Sequence, residues 1–462
     1  MMMAKNTRSV PAFSREKLVM IPTRQRLFAI LTVLGLITAP RVSARTIDTL
    51  WTSHWGWSPT GGQTVALGVV KDNQGSIFTC GVTDSAGNGN GKVFLTKSLS
   101  RKDSVYWRYT YGGNTGISTG YALKLASDGI LVAGTTNSFS SDYRYQGYLI
   151  KTDFNGETLW TRLYGASPSI VFYAIDLTAN GFVFAGFSYS AGLVLWTDAN
   201  GDSTRSSTVS GCKFRSVKTT VDGGCIAVGE IPNSGTITAV KFDSTGSVVW
   251  QRVFDGMTAC SVDTSGGGYI LAGSASGDPD GLLIKIDANG ENPRTRTYGD
   301  PGTTEQFWSL SVTSDGGYLL TGVATPPPLY DGVLYVVKTD VNGDTMWTRL
   351  YGGPHTNQGQ ACLEISDSNY VVVGSCGLDC QEAWTLVLGP VTPPGVNPPA
   401  PTPTTTIKPS PTILSGTTVR IERDAELYDM LGRRVTAPSG NLAPGVYFYQ
   451  YGHRLSKVIV TR

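Results

Sequence analysis

The segment KTDVNGDTMWTRLYGG, residues 338–353, recurs along the chain and decides its fold. A close copy, KTDFNGETLWTRLYG, covers residues 151–165, and weaker copies begin at Lys241 and Lys285. Each copy predicts a β-hairpin, because Asn-Gly tolerates positive φ in a tight turn and the flanking Val, Thr, Trp, Leu and Tyr favour strands. A unit repeated at this period is typical of a solenoid or a propeller.

A second repeated feature is an apolar strand that ends in glycine, as in GILVAG, GFVFAG, GYILAG and GYLLTG. With an alternating strand before it and the hairpin after it, this strand makes a four-stranded unit. Seven units predict an all-β fold, a seven-bladed β-propeller. The seven glycines are Gly81, Gly134, Gly186, Gly229, Gly273, Gly322 and Gly374.

The two ends of the repeat array complement each other. Residues 48–56, DTLWTSHWG, match only the second half of the hairpin, as in residues 157–165. The seventh unit lacks an outer strand of its own, because residues 384–388 run directly into Pro390. We therefore predict that the strand at 48–56 completes the seventh blade and closes the ring, which removes the free ends of the array.

Composition restricts the function classes. The net charge of +2, without a cluster of Lys and Arg in the body, argues against nucleic-acid binding. The three histidines, His54, His355 and His453, are far apart, and the seven cysteines form no CxxC pair. We therefore predict neither a metal site nor a bound cofactor.

Residues 1–44 have the features of a signal peptide. Arg24 and Arg26 precede an apolar run at 27–39, and VSA at 42–44 offers a cleavage site. The run is too short for a stable membrane-spanning helix, which disfavours the alternative of a membrane anchor. We therefore expect a mature protein without a transmembrane segment.

Export would permit disulfide bonds. Cys376 and Cys380, in one loop, are the best local pair, and Cys212 and Cys225 are a second possibility. Because the number of cysteines is odd, at least one has no partner within the chain.

Beyond the propeller, predicted at residues 45–390, the composition changes. Residues 391–412 are rich in Pro and Thr and predict an extended, semi-rigid linker. Residues 413–462 predict a small β-sandwich-like module, with turns at 431–432 and 444–445.

This C-terminal module resembles the type A C-terminal sorting domain of the type IX secretion system of Bacteroidetes-like bacteria. Three motifs carry the resemblance: Tyr-Asp-x-x-Gly-Arg-x-Val at 428–435, Leu-x-x-Gly-Val-Tyr at 442–447 and Lys-x-x-x-x-Arg at 457–462. The resemblance implies recognition by the type IX secretion machinery and a location outside a Gram-negative cell, either secreted or on its outer-membrane surface. The motif residues are Tyr428, Asp429, Gly432, Arg433, Gly445, Tyr447 and Lys457.

The repeats resemble seven-bladed bacterial propellers and, more loosely, quinoprotein-like repeats. The spacing Asp-x-x-Gly-x-x-x-Trp carries this resemblance, as in Asp153, Gly156 and Trp160. It implies a fold and says little about activity. It also implies that the repeated tryptophans dock neighbouring blades, with ligand stacking as the alternative. These residues are Trp51, Trp107, Trp160, Trp250 and Trp347.

Three hairpin turns, which begin at Asp198, Asp287 and Asp340, have an Asp-x-Asn-Gly-Asp/Glu pattern that suggests calcium loops. Calcium takes six or more oxygen ligands, and its familiar loop is longer and closed by a bidentate carboxylate. We therefore interpret these segments as plain hairpin turns.

The inner strands, which surround the central channel of a propeller, carry polar residues at a repeated position. Four consecutive blades would alternate in charge there, which predicts either a channel-lining ion-pair network or a polar pocket for a ligand or ion. Counted from the start of each strand, the residues are Gly68, Lys124, Asp176, Lys218, Asp263, Ser311 and Glu364.

Long, irregular loops all connect strands on one face of the predicted propeller. Rigid scaffolds place function on such loops, and aromatic residues with Arg are typical of binding patches. The candidate ligand contacts are Tyr143, Arg144, Tyr145, Trp308, Tyr330 and His355. The alternative is that these residues are ordinary loop decoration.

We therefore expect a non-catalytic, secreted or cell-surface propeller that binds a protein or a glycan through its long-loop face. The alternative is an extracellular enzyme, either a quinone-dependent dehydrogenase or a carbohydrate-active enzyme. A glycosidase needs two carboxylates at a defined separation, and the acidic residues of this chain cannot be paired from sequence. A quinone site would need a cation and further ligands, for which the sequence has no pattern.

Overall fold

The computed structural model describes fourteen segments of the chain, and every regular element in them is a β-strand. The segments are 46–55, 62–84, 87–99, 102–165, 169–189, 191–277, 279–325, 332–352, 356–376, 382–391, 412–415, 426–429, 445–451 and 454–461. Within them no helix has the length and apolar composition needed to cross a membrane. The predicted signal peptide and most of the predicted linker lie outside these segments.

Six blades are formed by four consecutive strands each. Blade 1 contains β2 (Thr64–Lys71), β3 (Ser76–Thr83), β4 (Lys92–Leu99) and β5 (Lys102–Tyr111). Blade 2 contains β6 (Ser118–Ala126), β7 (Gly129–Thr136), β8 (Gln146–Thr152) and β9 (Thr158–Tyr164). Blade 3 contains β10 (Ile170–Thr178), β11 (Gly181–Ser188), β12 (Ala191–Asp198) and β13 (Ser203–Ser210).

The next three blades repeat this order. Blade 4 contains β14 (Lys213–Thr219), β15 (Cys225–Ile231), β16 (Thr236–Phe242) and β17 (Val248–Asp255). Blade 5 contains β18 (Thr258–Ser265), β19 (Gly268–Ser274), β20 (Gly281–Ile286) and β21 (Arg294–Tyr298). Blade 6 contains β22 (Thr304–Val312), β23 (Tyr318–Thr325), β24 (Val333–Thr339) and β25 (Thr345–Tyr351).

Blade 7 joins the two ends of the array. It contains β26 (Asn357–Ser366), β27 (Asn369–Cys376) and β28 (Ala383–Val391), with β1 (Thr46–Trp55) as its outer strand. The β1–β28 pairing is antiparallel and runs from Thr46 opposite Val391 to Trp55 opposite Ala383. The first strand of each blade contacts that of the next, and β26 contacts β2, so the seven blades form a closed ring. The predicted seven-bladed propeller, closed by an N-terminal outer strand, is confirmed.

The repeated glycine has a steric cause. Each inner strand has a β-bulge, as between Phe172 and Ala174, and the repeated glycine faces it from the second strand. A Cβ at Gly186 would lie 1.8 Å from the carbonyl oxygen of Val171, and the other six glycines are as tightly enclosed. The glycine therefore lies inside its strand, where the bulge brings two backbones together.

The tryptophan of the hairpin packs on the following blade. The ring of Trp160 lies 6.4 Å from Phe182 and covers Gly201, a turn glycine of blade 3. The hydroxyl of Tyr164 donates to the carbonyl oxygen of Gly201 at 2.5 Å. Trp250 and Trp347 likewise contact aromatic rings of the next blade. These tryptophans therefore bury apolar area between neighbouring blades.

The calcium-like turns are held by their own backbone. In the turn that begins at Asp340, Oδ1 accepts the N–H groups of Asn342 and Asp344, both at 2.8 Å. The turns at Asp198 and Asp287 repeat this arrangement. Hydrogen bonds to the ionised form lower the pKa of Asp340 and Asp287. The Asp carboxylates therefore stabilise the backbone of the turns.

The C-terminal segments form a sheet of their own. It contains β29 (Thr412–Ser415), β30 (Glu426–Asp429), β31 (Gly445–Tyr451) and β32 (Arg454–Thr461), with β29 parallel to β32. Of the sorting-motif residues, Gly432 and Arg433 lie outside the described segments, and the other five lie on β30, β31 and β32. The sandwich-like arrangement and the domain boundaries stay predictions.

The suggested pairing of Cys212 with Cys225 is wrong, since both are free thiols. Cys212 donates to the carbonyl oxygen of Val209, and Cys225 begins the buried strand β15. Cys80, Cys260 and Cys362 are also free. The other suggested pair, Cys376 and Cys380, cannot be described, because Cys380 lies outside the described segments.

Candidate binding site at the mouth of the channel

The bulge residues of the inner strands lie at one end of the central channel. Each inner strand begins at the face of the long loops and ends at the face of the hairpin turns, and its bulge comes near its beginning. The residue in the bulge is half-buried in every blade, which places a ring of side chains at the channel mouth. These residues are Leu67, Tyr121, Tyr173, Arg215, Cys260, Trp308 and Gln360.

Side chains of blades 2, 3 and 4 form an aromatic and charged group at this mouth. We call this group the channel-mouth cluster, and it consists of Tyr121, Tyr173, Phe187, Arg215 and Glu230. The rings of Tyr121 and Tyr173 meet edge to face at 4.9 Å, and Phe187 stacks on Tyr173 at 6.0 Å. The guanidinium carbon of Arg215 lies 4.4 Å from the Tyr173 ring centroid, and its Nη2 lies 2.8 Å from Glu230 Oε1. Such packing fixes the three aromatic rings and the guanidinium group in place.

The electrostatics of the cluster keep the Tyr121 hydroxyl neutral and hold Arg215 as a cation. Burial, with a contribution from Tyr173 and Tyr145, raises the pKa of Tyr121 to about 12. Burial opposes the charge of Arg215, but Tyr173 and Glu230 outweigh it and raise the pKa of the guanidinium. The cluster can therefore stack on a planar or apolar group and donate hydrogen bonds beside it.

Short connections flank the half-buried cluster in blades 3 and 4. In blades 3 and 4 the connections on this face are only 188–191, 210–213, 231–236 and 255–258. Blades 2 and 6 carry longer connections, at 136–146 and 325–333. Tyr189, at the tip of the 188–191 turn, is 82% exposed and has a φ of 56°. The connections of blades 3 and 4 on this face are therefore short beside the cluster.

The structure describes four of the six ligand contacts predicted from the sequence. Tyr143 and Tyr145, in loop 136–146, are exposed, and Arg144 pairs with Asp142 at 2.8 Å. Trp308 lies in the bulge of β22, on the blade 6 side of the mouth, and not in a loop. Tyr330 and His355 lie outside the described segments.

The opposite end of the channel carries an ion-pair network. Lys124 Nζ lies 3.0 Å from Asp176 Oδ1, and Lys218 Nζ lies 3.1 Å from Asp263 Oδ1. Asp176 Oδ2 also accepts the backbone N–H and the hydroxyl of Thr219, both at 2.8 Å. Burial alone would raise the pKa of Asp176, but the two lysines lower it. This network links blades 2 to 5 and uses its charges internally.

Two residues grouped with this network do not share its position. Counted from the bulges, the equivalents of Asp176 are Val70 in blade 1 and Leu363 in blade 7. Gly68 therefore lies two residues too early and Glu364 one residue too late. Strand starts differ among blades, whereas the bulge fixes the true register. Glu364 instead accepts the N–H of Ser314 in blade 6 at 2.6 Å.

Sequence reasoning missed Tyr121, Tyr173 and Arg215. A signal was present, because each lies three residues before a charged residue of the network, at Lys124, Asp176 and Lys218. The residue three positions before the network residue is large in most blades. A strand that alternates strictly with period two would not place both residues on the same face. No group of three or more His, Cys, Asp or Glu side chains that could hold a metal occurs in the described segments.

A comparison with a solved structure supports the fold. The chain is similar to the WD40 β-propeller domain of Doa1, with a TM-score of 0.50 and 11% identity over 74% of this chain and 97% of that chain. It is also similar to the WD40 domain of Neurospora crassa Pan2, with a TM-score of 0.47 and 13% identity over 76% and 97% of the two chains. No protein-family model matches, and no curated protein matches by sequence. The chain is a seven-bladed β-propeller, a fold consistent with a binding scaffold.

Proposed function

We propose that this protein is secreted or displayed on the cell surface and binds an extracellular protein or glycan at the mouth of its central channel, without catalysis. The observation that carries this proposal is the contact of Arg215 with Tyr173. Aromatic residues and Arg, held rigidly around a partly buried centre, are the residue types that dominate binding energies. The short connections of blades 3 and 4 on this face support the same site.

A binding screen tests this proposal. We expect the full mature chain to bind a member of a glycan array or of an extracellular protein array. Tyr173→Ala and Arg215→Ala should each weaken that binding by about tenfold or more, because each removes one anchor of the cluster. The matched control is Tyr106→Ala, since Tyr106 is 60% exposed on the outer strand of blade 1. An array member that binds both cluster variants as tightly as the native protein would overturn the proposed site.

Export by the type IX secretion machinery is the second part of the proposal, and it rests on the motif residues of segment 413–462. We expect deletion of residues 413–462 to trap the protein in the periplasm. A substitution in the linker, Lys408→Ala, should leave surface appearance unchanged. Normal surface appearance of the truncated protein would refute the sorting role.

One observation favours the enzymatic alternative. Asp280 and Glu305 place carboxylate oxygens on the same side of Gly299, and paired carboxylates are the catalytic groups of glycosidases. Hydrolysis of aryl glycosides that is lost in Glu305→Gln would support this alternative. An absorbance spectrum of a bound quinone in the purified protein would support the other enzyme class.

A further inference from the structure

A cavity of about 290 Å³ lies between blades 5 and 6, apart from the channel mouth. Loop 298–304, on the long-loop face, forms one side of it, and Leu350 of β25 lies on another. Tyr298 and Tyr335 contribute aromatic walls, and both rings pack on Phe307 at 5.6 Å. Its volume is close to the lower end of the range for ligand pockets, which suits a single side chain.

Glu305 places an unsatisfied oxygen in this cavity. The residue is only 4% exposed, and its Oε1 accepts the hydroxyl of Thr303. Its Oε2 is buried and has no hydrogen-bond partner among the described residues. A buried carboxylate oxygen without a partner is costly, so the arrangement favours an incoming donor.

A second carboxylate faces the same point. A Cβ on Gly299 would lie only 2.5 Å from both Glu305 Oε2 and Asp280 Oδ1, so the two oxygens lie close together against the glycine, in room that a larger residue would need. Burial, together with the negative charges of Asp280 and Asp300, raises the pKa of Glu305. The surroundings therefore concentrate negative charge around the unpartnered oxygen of Glu305, which a cation would relieve.

The residues that line the cavity indicate which kind of cation it can bind. Calcium needs six or more oxygen ligands, and the described residues contain no group of acidic side chains able to hold a metal. Aromatic faces beside carboxylates instead suit an organic cation, which can contact a ring and donate hydrogen bonds together. We propose that this cavity binds the ammonium or guanidinium group of a basic side chain presented by a protein partner, which rests on the proposed binding function.

Titration of the full mature chain with N-acetyl-arginine amide, followed by calorimetry, tests this inference. N-acetyl-citrulline amide is the matched probe, because it keeps the shape and lacks the charge. We expect the arginine probe to bind about tenfold or more tightly than the citrulline probe. Equal binding of the two, or no binding of either, would overturn the inference.

Two variants locate the site. Glu305→Gln removes the charge, and Gly299→Ala sets a methyl group against both carboxylates while it keeps both charges. Gly299 has no left-handed φ, so alanine strains no backbone there. Both variants should lose about tenfold in affinity for the arginine probe, whereas Glu291→Gln, in an exposed pair with Arg252, should not. Unchanged binding in both site variants would contradict the proposal.

The pH dependence and one cross-control complete the test. A proton competes with the cation for Glu305, beside Asp280, Asp300, Thr303 and Tyr335, so affinity should rise as pH rises through the raised pKa of Glu305. Tyr173→Ala should bind the arginine probe normally. Suppose that Tyr173→Ala loses partner binding but the native protein does not bind the arginine probe. The proposed function would then stand, and only this inference would be refuted.

Discussion

The guanidinium carbon of Arg215 lies 4.4 Å from the centre of the Tyr173 ring, and the two residues belong to neighbouring blades. Glu230, on the second strand of blade 4, holds the same guanidinium at 2.8 Å. The contact therefore crosses a blade interface and is fixed from both sides. Because its partners are half-buried, the group is arranged before any ligand arrives, which limits the entropy lost on binding.

The Arg215–Glu230 pair should be measurably coupled. We expect a double-mutant cycle with Arg215→Met and Glu230→Gln, followed by urea unfolding, to give a coupling free energy of about 1–2 kcal/mol, because both side chains are largely buried. The matched pair is Arg162 and Asp202, which is more exposed and should give less than about 1 kcal/mol. Equal coupling in the two cycles would contradict this account.

Acid stability should depend on Asp176. Its pKa is lowered in the folded protein, so its stabilisation is present above the unfolded pKa of about 3.9 and is lost as pH falls through the folded value. We expect Asp176→Asn to lower the free energy of unfolding by about 2–3 kcal/mol at pH 7, since Lys124 and Lys218 lose their shared partner. The difference from the native protein should shrink below about pH 4.

Asp202→Asn is the control for that experiment, because Asp202 is 66% exposed. Its effect on the free energy of unfolding at pH 7 should stay within about 1 kcal/mol. A deficit of Asp176→Asn that persists unchanged at acidic pH would show that the cost is not electrostatic.

The glycine opposite the bulge should resist substitution. Gly186→Ala places a Cβ 1.8 Å from a backbone oxygen, so we expect a loss of more than about 4 kcal/mol or failure to fold. Gly267→Ala meets no atom within 4 Å and changes only a turn with a φ of 80°, so its cost should be about 1–2 kcal/mol. Thermal unfolding measures the loss of stability in the two variants. Equal losses would show that a small backbone shift relieves the close approach at Gly186.

Closure of the ring can be tested by truncation. Removal of residues 1–55 deletes β1 and exposes β28, so the melting temperature should fall by about 10 °C or more and aggregation should increase. Removal of residues 1–44 keeps β1 and should leave the melting temperature unchanged. A peptide of residues 45–56 should restore part of the stability of the shorter protein. Equal melting temperatures of the two truncated proteins would refute the closure.

Four of the free thiols should be inert in the folded protein. Burial raises the pKa of Cys225 and of Cys362 to about 12, and the thiols of Cys80 and Cys212 are also shifted upward by burial. We expect iodoacetamide to label these four cysteines only after unfolding, without any reductant. Mass spectrometry identifies the labelled residues, and failure of Cys212 and Cys225 to react in denaturant would revive their pairing.

Much of the architecture was predictable because it is local. The Asn-Gly turn, the alternation of the outer strand and the repeated glycine lie within short windows, and seven copies reinforce one another. Even the closure followed from a surplus strand at 48–56 and a missing one after Leu388. The register of blades 1 and 7 was less predictable, because strand starts differ among blades and the register is set by the bulge.

The sequence by itself therefore determined the blade, the number of blades and the strand that closes the ring. Only the tertiary structure decided which side chains meet, because partners such as Tyr121 and Tyr173 lie on neighbouring blades and far apart in sequence. The same holds for Asp280 and Glu305, whose carboxylate oxygens both lie against Gly299. Repetition specifies the scaffold, whereas contacts across blade interfaces depend on residues that do not repeat.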